Sequence, residues 1–154
     1  MSIKTIPDGY HAVTPYLIIK GAAQAMDFYT RAFGARERMR LPGPGDAIMH
    51  AEMELGDSVI MLADEFPQMG AVSPQTLGGS SVFLHLYVSD ADAMFNQAVA
   101  AGAKVAEPME NKFYGDRSGT VLDPFGHRWS VSTHVEDVTP EEIGRRIAAM
   151  GKPA

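Results

Sequence analysis

With 154 residues, 45% of them hydrophobic and 21% charged, the chain has the composition of a globular protein rather than a disordered one. A net charge of −6 without a basic patch argues against nucleic acid as a partner, and no apolar run approaches the roughly 18 residues that a membrane span needs. The absence of cysteine excludes disulfides, thiolate metal sites and cysteine nucleophiles together.

The N-terminal run Met1-Ser2-Ile3-Lys4-Thr5-Ile6-Pro7-Asp8 lacks the apolar core of a signal peptide, so the expected location is the cytoplasm. His11 follows and offers no partner legible from sequence. Val13-Thr14-Pro15-Tyr16-Leu17-Ile18-Ile19 reads as a first strand. A helix is predicted over about 22–33, because Ala22, Ala25, Met26, Tyr29, Ala32 and Phe33 recur at helical spacing and Gly34 suits a left-handed end. Leu41-Pro42-Gly43-Pro44-Gly45-Asp46 has neither the lysine nor the following helix of a phosphate-binding loop and is read as a connector or lip. Ile48–Leu55 alternates, with Ala51, Met53 and Leu55 on one face and His50, Glu52 and Glu54 on the other. If Gly56-Asp57 is a two-residue hairpin loop, Leu55 pairs with Ser58 and Glu52 lies opposite Met61. That register puts His50, Glu52 and Met61 on one face, and a slip of one residue would reverse it.

Residues 64–80, rich in Gly, Pro, Ser and Gln, read as a connecting loop. The pattern then returns about 68 residues on. Ser81–Val88 is the strand, and Ala91, Met94, Phe95, Ala98 and Val99 form the buried stripe of a helix over about 90–101, closed by Gly102. Asp123-Pro124-Phe125-Gly126 is a second hairpin turn. In the strand after it, Trp129 and Val131 should face the helix and Arg128, Ser130 and Ser132 the cleft. His127 and His134 are expected near the rim, as surface groups. Thr139-Pro140-Glu141-Glu142 resembles a capping box with proline at the first helical position, opening a short outer helix over about 140–150. The repetition predicts a single α+β domain spanning 1–154. It would hold two tandem βαβββ modules, about 12–63 and 81–134, joined by the 64–80 linker and forming a curved mixed sheet around a cleft.

Several segments together carry a family resemblance: Thr14-Pro15-Tyr16-Leu17, Phe28-Tyr29, Ala32-Phe33-Gly34-Ala35 and His50-Ala51-Glu52. In the second half they are joined by Leu86-Tyr87-Val88, Tyr114-Gly115-Asp116-Arg117 and Asp123-Pro124-Phe125-Gly126-His127-Arg128-Trp129. The chain resembles the vicinal oxygen chelate superfamily of glyoxalase I, bleomycin-resistance proteins and extradiol dioxygenases, and within it the PhnB-like subgroup. The resemblance implies paired modules around a small-molecule cleft, homodimerisation, and in metal-dependent members a Lewis-acid metal held by four ligands from the first and last strands. Those positions fall on Thr14, Met61, Phe83 and Ser130, none of which is a competent hard-cation ligand. The expected cofactor is therefore none, with a divalent metal as the alternative.

That alternative is a relocated site built from His50, Glu52 and His85. Without metal, the same three residues could do acid–base work. Tyr16 and Tyr87 are expected to line the cleft as aromatic walls. Arg117 would bind an anionic group of the ligand with Tyr114 closing over it, or else Asp116 and Arg117 merely pin their loop. Arg128 and Ser130 complete the expected ligand-binding set. No serine sits in a nucleophile elbow. Two functions remain: a protein that binds a small organic, possibly anionic, molecule without the metal quartet, or a lyase, isomerase or dioxygenase acting on vicinal oxygens.

Overall fold

The computed structural model describes residues 2–151. Strand β1 (Tyr16–Ile19), helix α1 (Ala22–Phe33), and strands β2 (Arg36–Pro42), β3 (Ile48–Leu55) and β4 (Ser58–Asp64) form the first module. Strand β5 (Phe83–Tyr87), helix α3 (Ala91–Ala101), and strands β6 (Lys104–Asn111), β7 (Asp116–Leu122) and β8 (Arg128–His134) form the second. The expected mixed sheet is built as two separate four-stranded sheets, ordered β1-β4-β3-β2 and β5-β8-β7-β6. In each, the first strand pairs in parallel with the last and the other pairings are antiparallel. The hairpin register is the expected one: Leu55 pairs with Ser58, and Glu52 with Met61.

Each sheet has a helix face and an open face, because side chains alternate along a strand. Leu17, Ile19, Ala51, Met53, Ile60 and Leu62 point to α1, and Val121, Trp129 and Val131 to α3. The two helices pack against each other, joining the modules through one core. Tyr29, Phe33 and Trp129 meet there, with ring centroids 4.6–6.2 Å apart. Each such fully buried side chain contributes roughly 1.5–3 kcal/mol.

Both helices are started by the strand that ends their module. The Asp64 carboxylate accepts the N–H groups of Gly21 and Ala22, each at 3.0 Å. The Thr133 hydroxyl accepts that of Ala91 at 2.9 Å. These donors open a helix and have no partner within it, so long-range caps satisfy them, and in α1, whose N-cap is Gly21, they replace the missing local one. Asp90 adds a local cap to α3 through Ala93 N–H.

The 64–80 linker is more ordered than its composition suggests. It holds a 3-10 turn at Pro67–Met69 and a short helix α2 (Pro74–Leu77), and Glu65 accepts hydrogen bonds from Ser73 and Thr76. Helix α4 (Pro140–Met150) starts as expected, with Thr139 Oγ1 accepting Glu142 N–H, and lies on the outside with no buried residue. No helix of the described residues is long and apolar enough to cross a membrane.

Candidate functional site

On the open face of the first sheet, β1 and β3 bring Tyr16, His50 and Glu52 into one chain of hydrogen bonds. The Tyr16 hydroxyl is 2.8 Å from His50 Nδ1, and His50 Nε2 is 3.3 Å from Glu52 Oε1. Arg38 stands 4.0 Å from the other Glu52 oxygen and covers the Tyr10 ring at 5.2 Å. The Tyr10 hydroxyl is buried beside Glu52 without a hydrogen bond of standard geometry. Burial first, and then the Glu52 carboxylate, push the Tyr10 phenol up to about 12. Reciprocally, the Tyr10 hydroxyl does most to hold the Glu52 carboxyl low; burial opposes it, and His50 and Arg38 assist. The segment before β1 is thus laid across this sheet, with Asp8 O accepting from Arg38 and His11 Nε2 lying 3.3 Å from Asp57 O.

On the open face of the second sheet, register places Phe83, His85 and Tyr87 beside Arg128, Ser130 and Ser132. At its far end Asp116, only 3% exposed, accepts from the Tyr87 hydroxyl at 2.7 Å and from His134 Nδ1 at 2.8 Å. His134 Nε2 reaches Asp137 at 2.8 Å. Burial alone would raise the Asp116 carboxyl, but the bonds from Tyr87 and His134 outweigh it and hold it low. In turn the bond to Asp116 and then burial push the Tyr87 phenol up to about 12. Sequence reasoning missed this cluster. Counting the register outward from the Asp123–Gly126 turn puts Asp116 opposite His134 and would have found it.

His134 is raised by Asp137 first and Asp116 second, so its contribution to stability is full below the unfolded histidine value and fades as pH rises through the folded one. Asp116 behaves oppositely: its contribution is present above the unfolded carboxyl value and fades as pH falls. The melting-temperature deficit of His134→Ala should therefore be larger at pH 5.5 than at pH 8.5. Equal deficits in thermal scans at the two values would contradict this.

Other expected site residues fall differently. Arg117 lies on the helix face, its guanidinium bonded to both Asp92 oxygens at 2.6 and 2.8 Å, so it pins α3 to β7 and does not face the cleft. Arg117→Ala is expected to lower the melting temperature and leave ligand affinity unchanged. Ser130 is buried with its hydroxyl 3.1 Å from Thr120 Oγ1, already satisfied within the sheet. His127, expected at the surface, is buried with Nε2 3.3 Å from Ile18 O. Tyr114 packs edge-on against Phe113, beside the Tyr87 cluster. His85 stacks near Tyr87, with centroids 4.8 Å apart, and makes no side-chain hydrogen bond among the described residues.

Between the modules runs a cleft of about 950 Å³. Its walls are the segment before β1 (Val13, Thr14, Pro15), the β3–β4 hairpin, and Val82 with the whole of β5. Arg128 stands over the ring of the wall residue Phe83 at 5.4 Å, without an acidic partner among the described residues.

A resident metal does not fit the residues at the four implied positions. Met61 offers a thioether, Phe83 a ring under Arg128, Thr14 a hydroxyl in the cleft wall, and Ser130 a hydroxyl engaged by Thr120. The relocated set is not assembled either. His50 and Glu52 lie on the first sheet and His85 on the second, and no group of three His, Asp or Glu among the described residues is placed to hold an ion.

The model of the Glyoxalase/Bleomycin resistance protein/Dioxygenase superfamily matches residues 10–131, across both modules. The chain belongs to that superfamily. It is 42% identical over 143 residues to the uncharacterized protein Mb0911c of Mycobacterium bovis, covering 91% of this chain and 94% of that one. Among solved structures it is similar to TioX from Micromonospora sp. ML1 (27% identity, TM-score 0.64, 84% of this chain and 100% of that one). The PhnB protein of Bacillus cereus shares the fold (20% identity, TM-score 0.60, 80% and 99% covered).

Proposed function

We propose that this superfamily member binds a small, partly aromatic organic molecule bearing an anionic group, in the cleft between its modules and without the metal quartet. The observation that carries this reading is the cleft's make-up: mostly apolar and aromatic walls, with His85 on the wall free of side-chain hydrogen bonds among the described residues and Arg128 standing over the ring of the lining residue Phe83. An apolar wall holds a ring, and an unpaired guanidinium over that wall's Phe83 is a ready partner for a carboxylate or sulfonate. The aromatic sulfonate 8-anilinonaphthalene-1-sulfonate is a suitable probe. Saturable fluorescence enhancement is expected, weakened about 10-fold or more in Arg128→Ala, the scale of a charge-assisted hydrogen bond. Unsaturable binding, or equal affinity in the variant, would count against the reading.

We also propose a homodimer. Its support is the exposure of large apolar side chains on the open faces: Tyr16, Phe83 and Tyr87 are 45%, 53% and 59% exposed. Sedimentation of the full chain at micromolar concentration should give twice the monomer mass, and a monomer there would remove this part.

A further inference from the structure

The chain Tyr16–His50–Glu52 has a direction. An ionised carboxylate only accepts hydrogen bonds, so the imidazole nitrogen facing Glu52, Nε2, carries the hydrogen. In the neutral ring Nδ1 is then a lone pair, and the 2.8 Å contact with Tyr16 must be the phenol donating to it. Tyr16 has spent its only hydrogen inward. Its oxygen is left with lone pairs only, so the hydroxyl of this half-exposed residue accepts from a ligand rather than donates to one.

We propose that Tyr16, His50 and Glu52 form a proton relay that ionises a weakly acidic hydroxyl, that of a phenol or an enol, bound on the open face of the first sheet. The ligand hydroxyl donates to the Tyr16 oxygen. As its O–H bond breaks, that proton becomes the new Tyr16 hydrogen, and the former one passes to His50 Nδ1. The products are a ligand oxyanion and an imidazolium held by Glu52. One proton leaves the ligand and one arrives on His50, and no other reactant is needed.

Three further features suit this step. Arg38, 4.0 Å from Glu52, and the neighbouring Tyr10 hydroxyl favour the charged carboxylate that the imidazolium requires. Tyr16 is also 45% exposed on that open face, so a ligand can reach it from solvent. Finally, the last acceptor is an imidazole, which can draw a proton from a phenol or enol but not from an alkyl alcohol. The relay is separate from the cleft wall, so sulfonate binding there can succeed or fail independently of it.

The probe is 4-nitrophenol, whose phenolate absorbs in the visible while the phenol does not. With full-length protein in excess, the bound probe should ionise about one pH unit below the free probe, a tenfold gain in the phenolate ratio. Tyr16→Phe and His50→Gln should still bind the probe within about threefold and lose the displacement. Glu52→Gln should reduce it, and Glu54→Gln, on the same strand but paired with Arg36, should leave it unchanged. Circular dichroism reports whether each variant is folded, and the two conservative changes at Tyr16 and His50 test the relay independently. The proposal is overturned if the bound probe titrates as the free one does, if the displacement survives in either Tyr16→Phe or His50→Gln, if it follows Glu54 instead, or if no binding is seen at millimolar probe.

Discussion

Asp123→Ala is expected to destabilise the protein by on the order of 4 kcal/mol or more, a large share of the roughly 5–15 kcal/mol that holds a typical domain together. Asp123 is 3% exposed and is the meeting point of both modules. Its carboxylate accepts the Tyr29 hydroxyl of α1 at 2.6 Å and the Trp129 indole N–H of β8 at 3.0 Å. It also accepts the backbone N–H groups of Phe125 and His127, each at 2.9 Å, which set the β7–β8 turn. Alanine would leave four buried donors without partners, each costing about 1–3 kcal/mol, though not additively. Asp123→Asn should cost less, since its amide oxygen still serves the turn, but it is not neutral because its NH₂ group faces the indole N–H donor to donor. Trp129 is the only tryptophan and lies in the affected core, so its fluorescence during urea unfolding reads the loss directly. A change below about 1 kcal/mol would mean that the four donors find other partners.

Gly115→Ala should cost roughly 2–6 kcal/mol, the sum of backbone strain and overpacking. Gly115 sits at φ +105, a conformation that side chains rarely adopt, and an added Cβ would fall on the backbone oxygen of Glu136 with Val138 close behind. The same Gly115 carbonyl accepts the N–H groups of Val135 and Glu136 at 2.9 and 3.0 Å, so the two backbones cannot separate cheaply. Forcing them apart would move His134 from Asp116 and should abolish the pH-dependent increment expected for that pair. Gly56→Ala is the control. It has φ +61 with open space around the added atom, and should cost only the 1–2 kcal/mol of a left-handed residue. Equal losses in the two variants, measured by denaturant titration, would refute the close-approach argument.

These two positions show where sequence reading stopped. Tyr114-Gly115-Asp116-Arg117 was legible as a motif, and the functional weight was placed on its exposed-looking ends, Tyr114 and Arg117. The structure gives Arg117 to Asp92 on the helix face and the buried carboxylate role to Asp116. Alternation says that neighbours on a strand face opposite sides, but which side is open depends on where the helix lies. By contrast, His50, Glu52 and Met61 were correctly placed on one face, because a two-residue hairpin loop sets register locally. The bond between Tyr16 and His50 was beyond that reasoning, since it crosses strands not adjacent in the sheet.

The sequence by itself determined the repeated βαβββ order, both principal helices with their buried stripes except Val99, which α3 leaves exposed, the register of the first hairpin and the lack of metal donors at the four implied positions. All of these follow from local periodicity, turn chemistry and residue type. Only the tertiary structure decided that the sheets are separate, that Asp64 and Thr133 start the helices from the far end of their modules, and that His85 stands apart from His50 and Glu52. It also decided that Ser130 and His127 are buried and already bonded. The reason is physical: a side chain's spacing along the chain sets the face it takes, whereas its partner is set by packing between elements many residues apart.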